Sequence, residues 1–303
     1  MNEKSILESV LEYKKAYKNW VYVILMVELN KTNLINKKLI KIKIRDGDTI
    51  NIPKEMVLFI KDLINSNNIS NGFKFDSTQG TLTFPYMGIN LKMKFYQNGR
   101  FNGEFTSFLG DYTFLMPIKG NTVIDIGANI ADSSACFAVN GASKVIAFEP
   151  YKWSYKMAIE NIEMNNLNDH IVMLNAAYGP DGEIEIEDSI TDVGTVLKEF
   201  KGGIKTPMLT LKSILMQYYD NDTDGDLLLK MDCEGCEYNI LNEEESTLSR
   251  FNKILIEYHN GYENLLEKLK KCGFSVKYTK PHTCYDEITK RTLIQGYLYA
   301  FKE

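Results

Sequence analysis

Residues 121–150, NTVIDIGANIADSSACFAVNGASKVIAFEP, constrain the fold more than any other stretch. Thr122 to Ile126 is a short β-branched apolar run of the kind buried in a parallel sheet, and Gly127 ends it where a strand would turn into a helix. Asp132, Ser133 and Ser134 bring N-cap chemistry, an Ala-rich segment follows to about Asn140, and Gly141 suits a left-handed C-terminal cap. A second apolar run, Lys144 to Phe148, ends at Glu149, 24 residues after Asp125. The pattern predicts a βαβ unit with free backbone N–H groups at its helix N-terminus and a carboxylate at the end of its second strand. Such a unit can hold a nucleoside, because two carboxylate oxygens match two adjacent ribose hydroxyls.

The loop narrows the ligand. A dinucleotide brings its pyrophosphate against backbone, which the GxGxxG spacing permits. Here the loop reads Gly127, Ala128, Asn129, Ile130, Ala131, with one glycine and with Asp125 two places before it. S-adenosylmethionine has no phosphate and carries an ammonium and a sulfonium, so a loop with acidic and Asn side chains suits it better than it suits NAD.

After Lys119 apolar strands and helices alternate: helices over about 151–166, 210–220 and 235–249, and strands at 171–175, 227–231 and 253–258. That alternation predicts a doubly wound α/β sheet. A helix from Tyr262 to Cys272 leads to Phe274–Thr279, and Leu293–Phe301 follows after so short a connection that an antiparallel hairpin is expected. Residues 1–118 read as an accessory α+β region. Its parts are a helix over 3–30, a strand pair at 38–44 and 49–52 turned by RDGD, a helix from Pro53 to Ser66, a loop over 65–72, short strands over 73–101 and a short helix at 104–112. The region holds no His or Cys and is compatible with a lid, a homodimer surface or an acceptor platform.

Charge and apolar run lengths exclude two classes. With 35 basic against 40 acidic residues and no Lys/Arg stripe, nucleic acid is not the expected partner. The longest apolar stretch, Trp20–Val27, is far short of the roughly 20 residues of a bilayer span. Peripheral association through an in-plane helix after Lys14, Lys15 and Lys18 competes with a plain buried helix. Five cysteines, with no leader sequence legible, point to a reducing cytoplasm.

From about Gly103 to the C-terminus the chain resembles the FkbM family of S-adenosylmethionine-dependent methyltransferases. The resemblance rests on VIDIGAN followed by Asp132, GASKVIAFEP, NIEMNNLN, LTLKSIL, LLLKMDCEGCE, ILIEYH and the closing GYLYAFK, in this order. The chain departs from it at Ala131, where the family usually has glycine. The resemblance implies a Rossmann-like seven-stranded sheet with one antiparallel strand, and methylation of hydroxyl groups on sugars or secondary metabolites, often alongside glycan assembly. It also implies that Asp125, Gly127, Ala128, Asn129 and Asp132 line the methionine half of the cofactor, that Glu149 takes the ribose, and that Asn175 and Ala176 lie beside the adenine. Asn175 reads equally well as a turn-capping residue.

Methyl transfer to a hydroxyl needs a positioned acceptor and a base for its proton. Asp232, at the end of its strand, could hold the methionine ammonium or face the acceptor. Glu234 is a candidate at the same edge, whereas Glu237 reads as favourable charge at a helix N-terminus. Glu257 and His259 alternate with Tyr258 and so share a side, with His259 the preferred base. Cys233 and Cys236 form a CxxC but have no second pair at zinc-ligand spacing, and they read as structural or incidental cysteines. A magnesium site from Asp232, Glu257 and His259 is conceivable, but the expectation is no metal. The reading is an O-methyltransferase acting on a sugar or glycan hydroxyl. Its rivals are an NAD-dependent oxidoreductase and a non-catalytic adenosyl-binding protein.

Overall fold

The computed structural model of the protein describes residues 6–32, 34–35, 38–67, 71–97, 100–102, 106–110, 112–187, 199–219, 225–286 and 291–302. The chain separates into two compact units, Met1–Gly110 and Asp111–Glu303, a boundary earlier than the expected position 118.

The first unit carries α1 (Ile6–Ala16), α2 (Trp20–Lys31), the antiparallel pair β1 (Leu39–Lys43) and β2 (Thr49–Pro53), and α3 (Lys54–Asn67). The single helix expected over 3–30 is broken. Asn19 leaves it to donate its amide to the Lys41 carbonyl and accept from the Lys43 N–H, while the Lys18 N–H bonds the Lys43 carbonyl. An unpaired strand edge thus outcompetes helix continuity. The alternation in β1 is as expected: Ile40, Ile42 and Ile44 are buried. Then come a three-stranded antiparallel sheet, β3 (Lys74–Asp76), β4 (Thr81–Tyr86) and β5 (Ile89–Lys94), and a short pair, β6 (Tyr96–Gln97) and β7 (Arg100–Phe101). Of the expected short helix the described residues show a 3₁₀ turn, Thr106–Phe108. Residues 3–5, 68–70, 98–99, 104–105, 111 and 220 of the expected elements lie outside the described residues.

The second unit is built on β8 (Thr122–Ile126), α4 (Asp132–Val139), β9 (Lys144–Phe148), α5 (Lys152–Met164), β10 (Ile171–Leu174), β11 (Ala177–Tyr178), β12 (Gly182–Ile186), β13 (Ile204–Leu209), α6 (Leu211–Tyr218), β14 (Leu227–Met231), α7 (Glu245–Leu248), β15 (Lys253–Tyr258), α8 (Glu263–Lys271), β16 (Ser275–Tyr278), β17 (His282–Asp286) and β18 (Arg291–Phe301). Among the described residues its main sheet has eight strands. Seven lie along the order β10-β9-β8-β14-β15-β18-β16, and β17 pairs the first half of β18. β8, β9, β10, β14 and β15 run parallel, and β18 runs antiparallel to β15 and β16. This is the Rossmann-like sheet the alternation predicts, and the expected hairpin partners are neighbours. His282, expected in the hairpin loop, instead opens β17.

β8 and β14 are buried at every residue, as central strands covered on both faces must be. Ile124, Ile126, Leu229, Met231, Ile254 and Ile256 pack with Ile214 and Leu215 of α6 and Leu265 and Leu269 of α8 in one core. Two features differ from the sequence reading. β11, β13 and β12 form a separate three-stranded sheet. The helix expected over 235–249 is a 3₁₀ segment, Cys236–Asn242, and the single turn α7. Glu243 interrupts it because its carboxylate is drawn to the N–H of Leu211 at the start of α6, 2.7 Å away, and to the Tyr178 hydroxyl. No described helix is long and apolar enough to cross a membrane.

Candidate active site

The carboxyl ends of β8, β9 and β14 are stitched to one another by backbone. Gly127 and Ala128 donate to the Phe148 carbonyl, and Asp232 donates to the Ile126 carbonyl. Gly127 sits at φ +79, and a Cβ placed on it would lie 1.7 Å from the Asp232 carbonyl oxygen. Both the left-handed turn and this close approach require glycine. The loop then rises through two further left-handed residues, Asn129 at φ +45 and Ala131 at φ +64. Ala131, where a glycine is usual, is accommodated fully buried at the N-terminus of α4. The Asn161 amide of α5 holds the Ile130 carbonyl from behind.

Glu149 ends β9 beside this loop, as expected. One carboxylate oxygen accepts from the Asn129 N–H at 3.1 Å and the other from the Tyr151 N–H at 2.9 Å. The residue is only 6% exposed, and burial pushes its carboxyl up to about 7 despite those two bonds. Ala176, as expected, follows the end of β10 and is buried. Asn175 resolves toward its capping reading. Its amide donates to the Glu149 and Pro150 carbonyls at 2.9 and 2.8 Å, so it fixes the backbone under Glu149 and does not offer that nitrogen to an adenine.

Asp125 requires a correction. It does not line an open face: it is 0% exposed, one oxygen accepts from the Ser133 and Ser134 hydroxyls at 2.7 and 2.6 Å, and the other faces the Lys230 ammonium at 3.1 Å. Lys230, buried in the middle of β14, also donates to the Gly127 carbonyl at 2.9 Å. Burial alone would lower its pKa, but the charges of Asp125 and Asp232 outweigh that and raise it. The Asp125–Lys230 pair thus anchors the loop and α4 rather than presenting a ligand. Asp132, in the first turn of α4, is buried too.

The four residues named as catalytic candidates come together at the ends of β14 and β15. Asp232, Glu234 and His259 each offer one atom within 4.8 Å of the other two, with Glu234 Oε2 3.3 Å from His259 Nε2. Glu257, on the same side of β15, feels the charges of Asp232, His259 and Glu234 and bonds the Tyr297 side chain of β18; burial pushes its carboxyl up to about 8. Glu237 lies in the first turn of the 3₁₀ segment Cys236–Asn242, as a charge expected at a helix N-terminus does, but it also serves His259. It is 0% exposed, and one oxygen bonds both the His259 N–H (3.1 Å) and His259 Nδ1 (3.0 Å), while the other accepts from the Gly235 N–H at 2.8 Å. Burial alone would lower the His259 pKa, but the bond to Glu237 and the charges of Glu237, Glu234 and Asp232 carry it up to about 10. The ring is therefore an imidazolium at neutral pH and not the ready base the sequence suggested. Cys233 and Cys236, read as structural or incidental, are joined in a disulfide that closes the turn carrying Glu234 and Gly235.

Lys230, Glu237 and Tyr297 were not singled out from sequence as working parts of the site. The available signal was Lys230, a charge in the otherwise apolar run LLLKM, which a buried strand tolerates only with a partner.

The description "Methyltransferase FkbM domain" matches residues 125–276. No curated protein matches the sequence. Three solved structures are similar in fold. TYW2 from P. horikoshii in complex with MeSAdo is 17% identical over 92% of this chain and 97% of its own, with TM-score 0.42. Methyltransferase FkbM from Methylobacillus flagellatus KT is 16% identical over 64% and 47%, with TM-score 0.41. Precorrin-6y C5,15-methyltransferase from Geobacter metallireducens GS-15 is 14% identical over 63% and 84%, with TM-score 0.35. At these values the assignment rests on the domain match, which spans half of the residues and every site residue described above except Tyr297. The chain accordingly belongs to the FkbM methyltransferase family, whose cofactor is of the S-adenosylmethionine type.

Proposed function

We propose that the protein methylates a hydroxyl group of a sugar or glycan, with the adenosyl cofactor along the ends of β8 and β9 and the acceptor over the ends of β14 and β15. The observation that carries this reading is the gathering of Asp232, Glu234, Glu257 and His259 beside the loop that Glu149 braces. Carboxylates and an imidazole are hydrogen-bonding partners for a polyol, and an apolar acceptor would find little there. The cofactor fits the donor set: Glu149 keeps acceptor capacity beyond its two backbone bonds for a ribose diol, and the acidic cluster suits a cationic sulfonium.

When bound, the cofactor supplies an electrophilic methyl group. The chain's own residues do the rest. Glu149 holds the ribose, Asn175 and Asn129 fix Glu149, and Asp232 lies between the cofactor loop and the cluster. We assign Glu257, oriented by Tyr297, as the group that in its ionised form, whose share grows as the pH rises toward 8, takes the acceptor's proton, with His259 and Glu237 positioning the neighbouring carboxylates.

Transfer of a labelled methyl group from S-adenosylmethionine into a panel of mono- and oligosaccharides tests the reading. Wild-type protein should label at least one sugar. Glu257→Gln should lose about 100-fold or more in kcat while binding S-adenosylhomocysteine as tightly as wild type in calorimetry. Labelling of amines or nucleic acid in place of every sugar would overturn it.

A further inference from the structure

We propose that Asp232, Glu234 and His259 form a binding site for a divalent cation of the Mg²⁺ or Mn²⁺ class, which would hold the acceptor hydroxyl. The metal site stands on its own geometry; the role given to the ion rests on the O-methylation reading above.

Three observations converge. The first is spacing. One ligand atom from each residue lies within 4.8 Å of the others, and Glu234 Oε2 is 3.3 Å from His259 Nε2. Neighbouring ligands on an octahedral ion with bonds of about 2.1 Å are about 3 Å apart, so these two atoms already stand near that separation.

The second is the imidazole. His259 is 3% exposed, and its Nδ1 faces the fully buried Glu237 at 3.0 Å, which leaves Nε2 alone aimed at the cluster. With Nδ1–H donated to Glu237, the second proton of the imidazolium lies on Nε2 toward the Glu234 oxygen, and once it leaves, both atoms turn lone pairs to any cation between them. A proton can serve, and so can a metal ion. A histidine held by a buried carboxylate through its far nitrogen is the arrangement that orients metal-ligating imidazoles. Glu237 is itself fixed by the N–H groups of His259 and Gly235, so the support is built in and does not depend on the ligand.

The third is the donor chemistry. The two thiols nearest the site are joined to each other, which removes the soft ligands and leaves two carboxylates and one imidazole. Lys230, the lysine that feels the charge of Asp232, is already committed to Asp125 and the Gly127 carbonyl. Three protein ligands leave open positions on a six-coordinate ion for water and for a hydroxyl oxygen, whose acidity the ion would raise.

Uptake of Mn²⁺ by the purified full chain, followed by loss of the free Mn²⁺ signal in electron paramagnetic resonance, tests the proposal without reference to turnover. Wild-type protein should bind one Mn²⁺ per chain at sub-millimolar concentration, and Mg²⁺ should displace it. Glu234→Gln should weaken uptake at least tenfold. Glu237→Gln should weaken it about tenfold through the imidazole. Glu149→Ala should leave uptake unchanged while losing S-adenosylhomocysteine binding. If wild-type protein takes up no Mn²⁺ at millimolar concentration, or Glu234→Gln binds it as well as wild type, the site is refuted. Mn²⁺ uptake without methyl transfer to any sugar would refute only the assigned acceptor.

Discussion

At the scale of single residues, Glu149 and Lys230 make opposite demands on water. Burial raises the Glu149 carboxyl from 4.5 to about 7, so between those pH values the folded chain keeps a proton that the unfolded chain has released. Its contribution to stability is therefore full below pH 4.5 and is lost as the pH rises through 7, a change of the order of 3 kcal/mol. Denaturation of Glu149→Gln across that interval should show a correspondingly flatter pH dependence than wild type. Affinity of the wild type for S-adenosylhomocysteine should rise through pH 7, as the carboxylate proposed to hold the ribose ionises, and the variant should lose that rise. Lys230→Met leaves Asp125 buried with only its serine partners, and should cost about 3–5 kcal/mol in chemical denaturation, with part regained on adding Asp125→Asn. These residues also mark where reading the sequence stopped. The spacing of Asp125 and Glu149 located both strand ends, but two carboxylates at equivalent places have different fates: one is enclosed by Ser133, Ser134 and Lys230, the other faces the loop. Nothing in the linear order says which oxygen meets which donor, and for the same reason Glu237 read as a helix charge and not as the partner of His259.

At the scale of elements, strand–loop–helix order was legible wherever local periodicity and caps agreed, as in β8 through β10. It failed where a distant group outbid the local preference. Asn19 breaks the first helix to serve the edge of β1, and Glu243 breaks another to cap α6. β12 and β13 went unread because GEIEI and IKTPML pair only with each other and with β11, a contact that no local pattern encodes. The loop after β8 is the least forgiving element. Gly127→Ala would drive a methyl group into the Asp232 carbonyl at φ +79, and either β8 or β14 must shift. Destabilisation of about 3 kcal/mol or more is expected in thermal or chemical unfolding, together with loss of S-adenosylhomocysteine binding in calorimetry.

At the scale of the whole molecule, the methyltransferase unit begins before its first strand. Lys253 of β15 donates to the Phe114 and Met116 carbonyls at 3.2 and 2.7 Å, and the Phe114 ring packs on Tyr299. A fragment of residues 111–303 should therefore fold cooperatively. One starting at 119, the boundary the sequence suggested, should melt several degrees lower, because the part-buried Lys253 ammonium loses both carbonyls. Differential scanning calorimetry of the two fragments checks this. The close approach of Gly127 to the Asp232 main-chain carbonyl reaches further than local packing. The loop after β8 and the Asp232 backbone cannot be adjusted separately, so on the proposed reading a methyl donor seated against Asn129 and Glu149 would also set Asp232 for the second substrate. Steady-state kinetics should accordingly obey a compulsory order of addition, with the methyl donor entering first and the demethylated product leaving last.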